Sequence, residues 1–177
     1  NFFGNISSSN YEFYNIFREK ASVVHAKNQQ KLSHKYNLKK EFIKFNSKIQ
    51  FNTNIYNQIF NTENKLIDNN NYKSGSYYRL FPMFGITTES PFKIKKFRSN
   101  LTFNPKFNLV VTPGASNSNK ISNEESTNND FSNNNIYALN RYSGSDKMDN
   151  SKRITYGLSA YTDNFKSSIS QSYEFTN

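Results

Sequence analysis

The 177-residue sequence has no cysteine. That excludes a disulfide or a thiolate-bound metal within it and is neutral about compartment. No apolar stretch approaches the roughly 18–20 residues of a transmembrane helix. No G-x-G-x-x-G, P-loop, G-x-S-x-G or H-E-x-x-H pattern occurs, so the sequence offers no nucleotide cradle, nucleophile elbow or zincin helix. His25 and His34 stand without ligand-spaced partners, which argues against a histidine-bound metal. There is no signal-peptide pattern, and the first residue is Asn1 rather than Met. The expectation is an internal fragment whose targeting segment, if it has one, lies outside it.

Hydrophobic residues are also scarce, at 34 %. Asn takes 30 of the 177 positions, far above average usage. Averages of this kind point to disorder. Yet 17 Phe and 12 Tyr bring the aromatic share to 16 %, and disordered chains are poor in aromatics. A membrane β-barrel reconciles the two signals, because only alternate residues need be apolar. The formal charge of +10 is compatible with nucleic acid, anionic lipid or another acidic partner, and equally with plain solvated lysine.

Patterning decides. In residues 99–113, Leu101, Phe103, Pro105, Phe107, Leu109 and Val111 share one parity. Asn100, Thr102, Asn104, Lys106, Asn108 and Thr112 take the other, with Val110 as the exception. Strict alternation predicts a strand with one oily and one wet face. Its length meets the roughly 9–11 residues of a tilted membrane-crossing strand. The pattern recurs in 31–42, 45–59, 77–92, 153–162 and 165–175. His34 and Lys40 interrupt the apolar parity of the first of these, and a further segment, 2–17, has mixed parity. Pro82 and Pro105 fall inside predicted strands, where a missing N–H predicts a bulge or a weakened seam.

Long connections at approximately 18–30, 61–75 and 114–152 alternate with short turns at approximately 43–45, 93–98 and 163–164. Outer-membrane barrels have this asymmetry. The fold class is therefore all-β: an antiparallel transmembrane β-barrel segment of about seven long strands, with residues 1–177 forming one partial barrel domain. An open edge in hydrocarbon leaves backbone groups unpaired at several kcal/mol each. Seven strands are thus expected to be part of a larger barrel.

The polar parity of these strands would line a lumen. It includes Lys48, Asn52, Arg79, Lys106, Asn108 and Arg153, with Lys35 and Lys39. Lys, Arg and amide side chains suit a phosphorylated, sugar-rich substrate through charge and hydrogen bonds. Ordinary polar lining is the plainer reading of the same residues. Glu124, Glu125, Asp146 and Asp149 share a loop with Arg141, Lys147 and Arg153. This reads as an ion-paired loop folding back over or into the barrel, or as a solvated charged loop. A catalytic carboxylate pair lacks a positioning frame, and the acidic spacing fits no EF-hand. No catalytic residue, metal or cofactor is expected. Tyr77, Tyr78, Tyr137, Tyr142, Tyr161 and Tyr173 lie near strand ends and are read as interfacial girdles, with base stacking as the nucleic-acid alternative.

Two motifs give a family resemblance. The stretch 121–130, ISNEESTNND, is followed by NNIYALNRYSGSDKMDNSKRITYGLSAY at 134–161. Asn123, Glu124, Glu125 and Ser126 match a "PNEDS" element. Asn140, Arg141, Tyr142, Ser143, Gly144, Asp146, Arg153, Tyr156, Gly157 and Leu158 match "RFSGxDRxExGxRxxYGL". Ser122 stands in place of the family's Pro and Lys147 in place of an Arg. LTFNPKFNLVVTPG and YYRLFPMFGITTESPF resemble two of the same family's strands. The chain thus resembles the barrel domain of the LPS-assembly outer-membrane protein family LptD, also called OstA or Imp, specifically over 77–158.

The resemblance implies a bacterial outer-membrane location and a protein that is not an enzyme. The whole protein would accept LPS from periplasmic bridge proteins, with an LptE-like plug lipoprotein seated in the barrel. Sugar would pass through the lumen and lipid sideways into the outer leaflet. Three other readings are open: a different outer-membrane channel or receptor barrel, a basic soluble β-protein binding polyanions, and a mostly disordered basic segment.

Overall fold

The computed structural model describes residues 6–17, 28–68, 71–94, 101–112, 114, 121, 123, 126, 132 and 135–175. Eight strands form one sheet: β1 (Ile6–Phe17), β2 (Asn28–Lys44), β3 (Ser47–Asp68), β4 (Asn71–Glu89), β5 (Phe92–Ile94), β6 (Leu101–Val111), β7 (Lys152–Tyr161) and β8 (Lys166–Glu174). Every pairing is antiparallel, and the order is β1-β2-β3-β4-β6-β7-β8, with β5 also on β6. Glu89 faces Lys106 and Phe92 faces Phe103. The register is therefore unbroken across Ser90 and Pro91, and β4 and β5 are two pieces of one stave. The result is a seven-stave meander, open at β1 and β8.

Cross-strand pairing confirms the parity reading and sorts the side chains into two faces. On one face, Lys31 lies opposite Phe60, Gln58 opposite Arg79 and Tyr56 opposite Phe81. The row Asn52, Gly85, Val110, Arg153, Glu174 crosses five strands on this side. Residues of the β6–β7 loop cover this inner face, and the buried residues gather there: Tyr56, Phe81, Met83 and Met148, with Leu139 against them. On the other face, Leu32, Phe42, Phe51, Ile59, Tyr78, Leu80, Phe84, Phe107, Tyr156, Leu158, Ile169 and Tyr173 are exposed. A sheet that buries arginine on one side and exposes leucine and phenylalanine on the other inverts the usual soluble arrangement.

The prolines cause no bulge, and the hydrogen-bond parity explains why. Ser90 N–H donates to the Pro105 carbonyl at 3.2 Å. Opposed residues of an antiparallel pair exchange both bonds or neither, alternating along the strand. Pro105 can only accept, so it forfeits one bond to Ser90, at the break between β4 and β5. Its pairing with Leu158 of β7 is intact. The same alternation directs the even residues of β4 toward β6. Pro82 therefore points past Phe84–Val111, where the β4–β6 ladder ends. Each proline faces a place where no ladder bond was due or only one is lost.

Several expected boundaries change. The connection expected at 61–75 is strand: β3 reaches Asp68 and β4 resumes at Asn71. Irregular pairing between Thr62/Lys65 and Leu66/Asp68 accommodates a polar sequence that lacks alternation, so periodicity did not reveal it. The turn expected at 43–45 is Phe45–Asn46, both with positive φ (52° and 57°), the pair a type I′ hairpin requires. Of the turn expected at 93–98, Lys93 and Ile94 are strand, and 95–98 lies outside the described residues. Asn28–Gln30 belongs to β2, while 18–27 lies outside the described residues. Four of the six girdle tyrosines are elsewhere. Tyr137 and Tyr142 are in the β6–β7 loop, and Tyr77 and Tyr161 take the inner-face parity opposite Phe60 and Thr102.

Candidate functional site

The long connection between β6 and β7 starts from a clasp. Thr112 N–H donates to the Ser151 carbonyl at 3.0 Å, and Ser151 N–H donates to Thr112 Oγ1 at 2.7 Å. Beyond the clasp, residues 135–150 lie across the inner face in three contacts.

The first contact is near the middle of β7, at Gly157. The Tyr137 hydroxyl is 2.8 Å from Ser170 Oγ, its ring lies 4.5 Å under Lys106 Nζ, and its carbonyl accepts from Asn108 Nδ2 at 3.2 Å. The ring fits because its neighbour is glycine. A Cβ on Gly157 would stand closer than 3.0 Å to Tyr137 Oη, Ser170 Oγ and the Ile169 carbonyl. The second contact uses the same device two rows on, where Leu139 occupies the space a Cβ would take on Gly85. The third contact is charged. Lys31 Nζ donates to Ser145 Oγ at 3.0 Å and to Asp146 Oδ1 at 3.2 Å, with both charged side chains almost fully buried. Arg79 donates to the carbonyls of Ser145 and Asp146 and, through two nitrogens, to Gln58 Oε1. Its guanidinium also stacks 5.1 Å from the Phe60 ring.

The return limb is held as firmly. Arg153, fully buried, donates to Asp149 Oδ2 at 2.9 Å, to Ser151 Oγ at 2.8 Å and to the carbonyls of Ala138 and Leu139. Asp149 also takes a forked pair from Arg141 at 2.5 and 2.9 Å, and Arg141 reaches Glu174 at 3.1 Å. Burial alone would lower the Arg141 guanidinium, but hydrogen bonds and charge from Asp149, with Glu174, outweigh it and hold it above its ordinary value. Buried charges persist when paired and hydrogen-bonded, and a forked arginine–carboxylate pair is the strongest form of such contact.

The two sequence motifs meet here. Asn123 Oδ1 accepts the Ser126 N–H at 3.1 Å, and Ser126 Oγ accepts the N–H groups of Asp146 and Lys147, both at 3.0 Å. The first motif therefore shapes the backbone that presents Asp146. Glu124 and Glu125 lie outside the described residues. Gly144 turns the chain just before Ser145 and Asp146, with φ 69°.

All six lumen-parity residues named from the sequence take the inner face, in two different settings. Arg79, Asn108 and Arg153 are buried under the loop and engaged with it. Lys48 and Asn52 lie beyond the loop on β3, and Lys106 at its margin on β6. Lys48 pairs with Glu41 at 3.0 Å, Lys106 with Glu89 at 2.9 Å, and Asn52 Oδ1 accepts from Gln50 at 2.8 Å. Sequence reasoning missed Lys31, Gln58 and Gly85 as loop contacts. Lys31 had a legible signal, a cation on the lumen parity, but its anion lies 115 residues away. His34 stands on the outer face with its ring 4.0 Å from that of Tyr36. Among the described residues no group of three or more His, Cys, Asp or Glu could hold a metal.

Gly157→Val should disrupt the first contact. The new side chain meets the Ile169 backbone as well as two movable side-chain ends, at about 1–3 kcal/mol for overpacking. Gly85→Ala meets chiefly the tip of Leu139 and should cost less. Urea unfolding of the two variants in detergent, compared at equal slope, measures the difference.

A family model described as LPS transport system D matches residues 2–177, well beyond the 77–158 stretch that carries the motifs. Comparison with curated proteins finds no match.

Proposed function

Given that the chain belongs to the LptD family, LPS transport system D, a family of the Gram-negative outer membrane, we propose that its sheet is a section of the wall of a larger outer-membrane barrel. The apolar face meets lipid and the loop-covered face lines the lumen. The observation that carries this reading is the band on the outer face. It occupies 32–42 on β2, 49–59 on β3, 78–86 on β4 and 103–111 on β6, each close to the length a tilted strand needs to cross hydrocarbon. At the long-loop end the band steps down, from Tyr78 on β4 to Val111, which faces Phe84, on β6. Tilted staves of a closed barrel require such a stagger.

Within this reading, the sugar portion of LPS passes along the part of the inner face that the loop leaves open. Lys48, Glu89 and Lys106 form one cross-strand row there, with Asn52 and Gln50 beside it. Arg79, Asn108 and Arg153 hold the loop rather than the cargo. The whole protein works with a plug lipoprotein and with periplasmic bridge proteins, as a transporter without catalytic chemistry.

The double change Lys48→Glu and Lys106→Glu tests the route. It sets each new carboxylate beside an existing one, Glu41 and Glu89. At about 0.7 kcal/mol for each partly exposed charge, LPS transit should slow about tenfold, read as LPS appearing on the cell surface after a pulse. Unchanged surface LPS with normal protein levels would remove these residues from the path.

A further inference from the structure

The β2–β3 turn is made of residue types that its geometry does not favour equally. Asn46 is at ease in the left-handed region, but a bulky aromatic such as Phe45 is an outlier there, and the Phe45 side chain is 89 % exposed. Strain of this kind at an exposed position points from the outlier to a role. Two lysines attend the hairpin end. Lys44 Nζ lies 5.1 Å from the Phe45 ring and Lys40 Nζ 5.8 Å from the Phe42 ring. The β7–β8 turn, at the same end of the sheet, repeats the combination with Phe165 exposed beside Lys166.

The position of the turn matters as much as its composition. Ser47 Oγ is 2.7 Å from Ser90 Oγ, which sets the last pair of the hairpin, Lys44 and Ser47, level with Ser90 and Pro105. Beyond that level the next two staves still carry Phe92 on β5 and Phe103 on β6, whose rings stack at 5.6 Å. On its own two staves the band ends at Phe42 and Ile49, so Phe45 stands at the tip of the hairpin, just past the edge of the band.

We propose that the β2–β3 turn is a membrane anchor. Phe45 sits at the glycerol level of the leaflet on the short-turn side, and Lys40 and Lys44 bind the phosphates of anionic phospholipids there. The proposal rests on the reading of the sheet as a transmembrane wall. Lysine stems run along apolar surface while their heads reach the headgroups, and each lysine near an anionic surface strengthens attachment about fivefold. The left-handed aromatic is then compensated by the interface together with the Lys44 ammonium beside its ring.

A nitroxide on Phe45→Cys, in the full-length protein reconstituted in vesicles containing phosphatidylglycerol, tests the depth. The same label on Phe107→Cys, in the middle of the band, is the control. The expected result is headgroup-level access of oxygen and a nickel chelate at residue 45 and oxygen alone at residue 107. A water-exposed label at 45 with a lipid-exposed one at 107 overturns the anchor and leaves the wall reading standing. Water exposure at both overturns the wall reading itself. A label at 45 shielded from both quenchers means a protein covers the turn, and also overturns the anchor. In parallel, Lys40→Glu with Lys44→Glu should slow insertion about fivefold per lysine into phosphatidylglycerol-containing vesicles and leave insertion into phosphatidylcholine unchanged; equal slowing in both would refute the lipid contact. Phe45→Asn, which suits the turn better, should fold in detergent as well as the wild type yet insert more slowly.

Discussion

An Asp146→Ala variant should loosen the β6–β7 loop where it meets β2. The carboxylate removed is buried, and so is the Lys31 ammonium it faces at 3.2 Å. Breaking a buried pair from one side strands the other charge, at about 3–5 kcal/mol. The 145–146 segment then rests on the carbonyl bonds from Arg79, while Arg153 still holds the return limb. The expected observations are protease cleavage between 135 and 150 in folded protein, and a lower urea midpoint. Cells should also become sensitive to large antibiotics that an intact outer membrane excludes. Charge and shape can be separated. Lys31→Met combined with Asp146→Leu leaves no buried ion and should recover much of the loss, because apolar replacement of a whole pair is often neutral. If Asp146→Ala behaves as wild type in all three measurements, the loop is not held by this contact.

Arg153→Ala should be as damaging by a different route. The Arg153 side chain joins three parts of the loop through Asp149, Ser151 and the Ala138 and Leu139 carbonyls, and it does so from the centre of a row between Val110 and Glu174. Truncation leaves two carbonyls without this donor and opens a cavity, together about 3–5 kcal/mol. Asp149 keeps Arg141, so the loop should stay partly attached at its return limb. Arg153→Lys is informative because it preserves charge but loses the planar fork. An ammonium cannot reach all four acceptors at once, so the lysine variant should fall about midway in unfolding free energy. Equal stability of the lysine variant and the wild type would mean that charge alone, not geometry, secures this limb.

The two faces of the sheet were legible in the sequence because a strand's side chains alternate without exception. Once Leu101 was placed outside, Phe103, Phe107 and Leu109 followed, and the wet parity followed with them. The length of β3 and β4 was not legible. Past Ile59 and Tyr78 the chain leaves the apolar band, and polar residues on both faces carry no period. Loop docking was invisible for the opposite reason. Nothing in the spacing of Tyr137, Leu139 and Asp146 marks them as inward, and the cavities that receive the first two are made by glycines, which have no pattern of their own. Motif resemblance found Gly157 and Asp146, but as matched letters; their work became clear only from what a Cβ would strike and where the buried ammonium lies. Pro105 was readable in principle, because a central strand bonds each residue to one neighbour only, but the parity needed a coordinate to fix it.

The pairing of Lys31 with Asp146 also constrains the order of assembly. Their separation of 115 residues makes this one of the last contacts that chain-closure entropy permits. Until it forms, Lys31 and Arg79 share a face without their loop partners, whereas Arg153 has Asp149 and Ser151 within four residues. A chain halted before residue 146 therefore holds a half-made wall in which Lys31 and Arg79 still lack their loop partners. The loop acts in time as well as in space: its arrival marks the point at which the sheet before it and the strands after it have both been made.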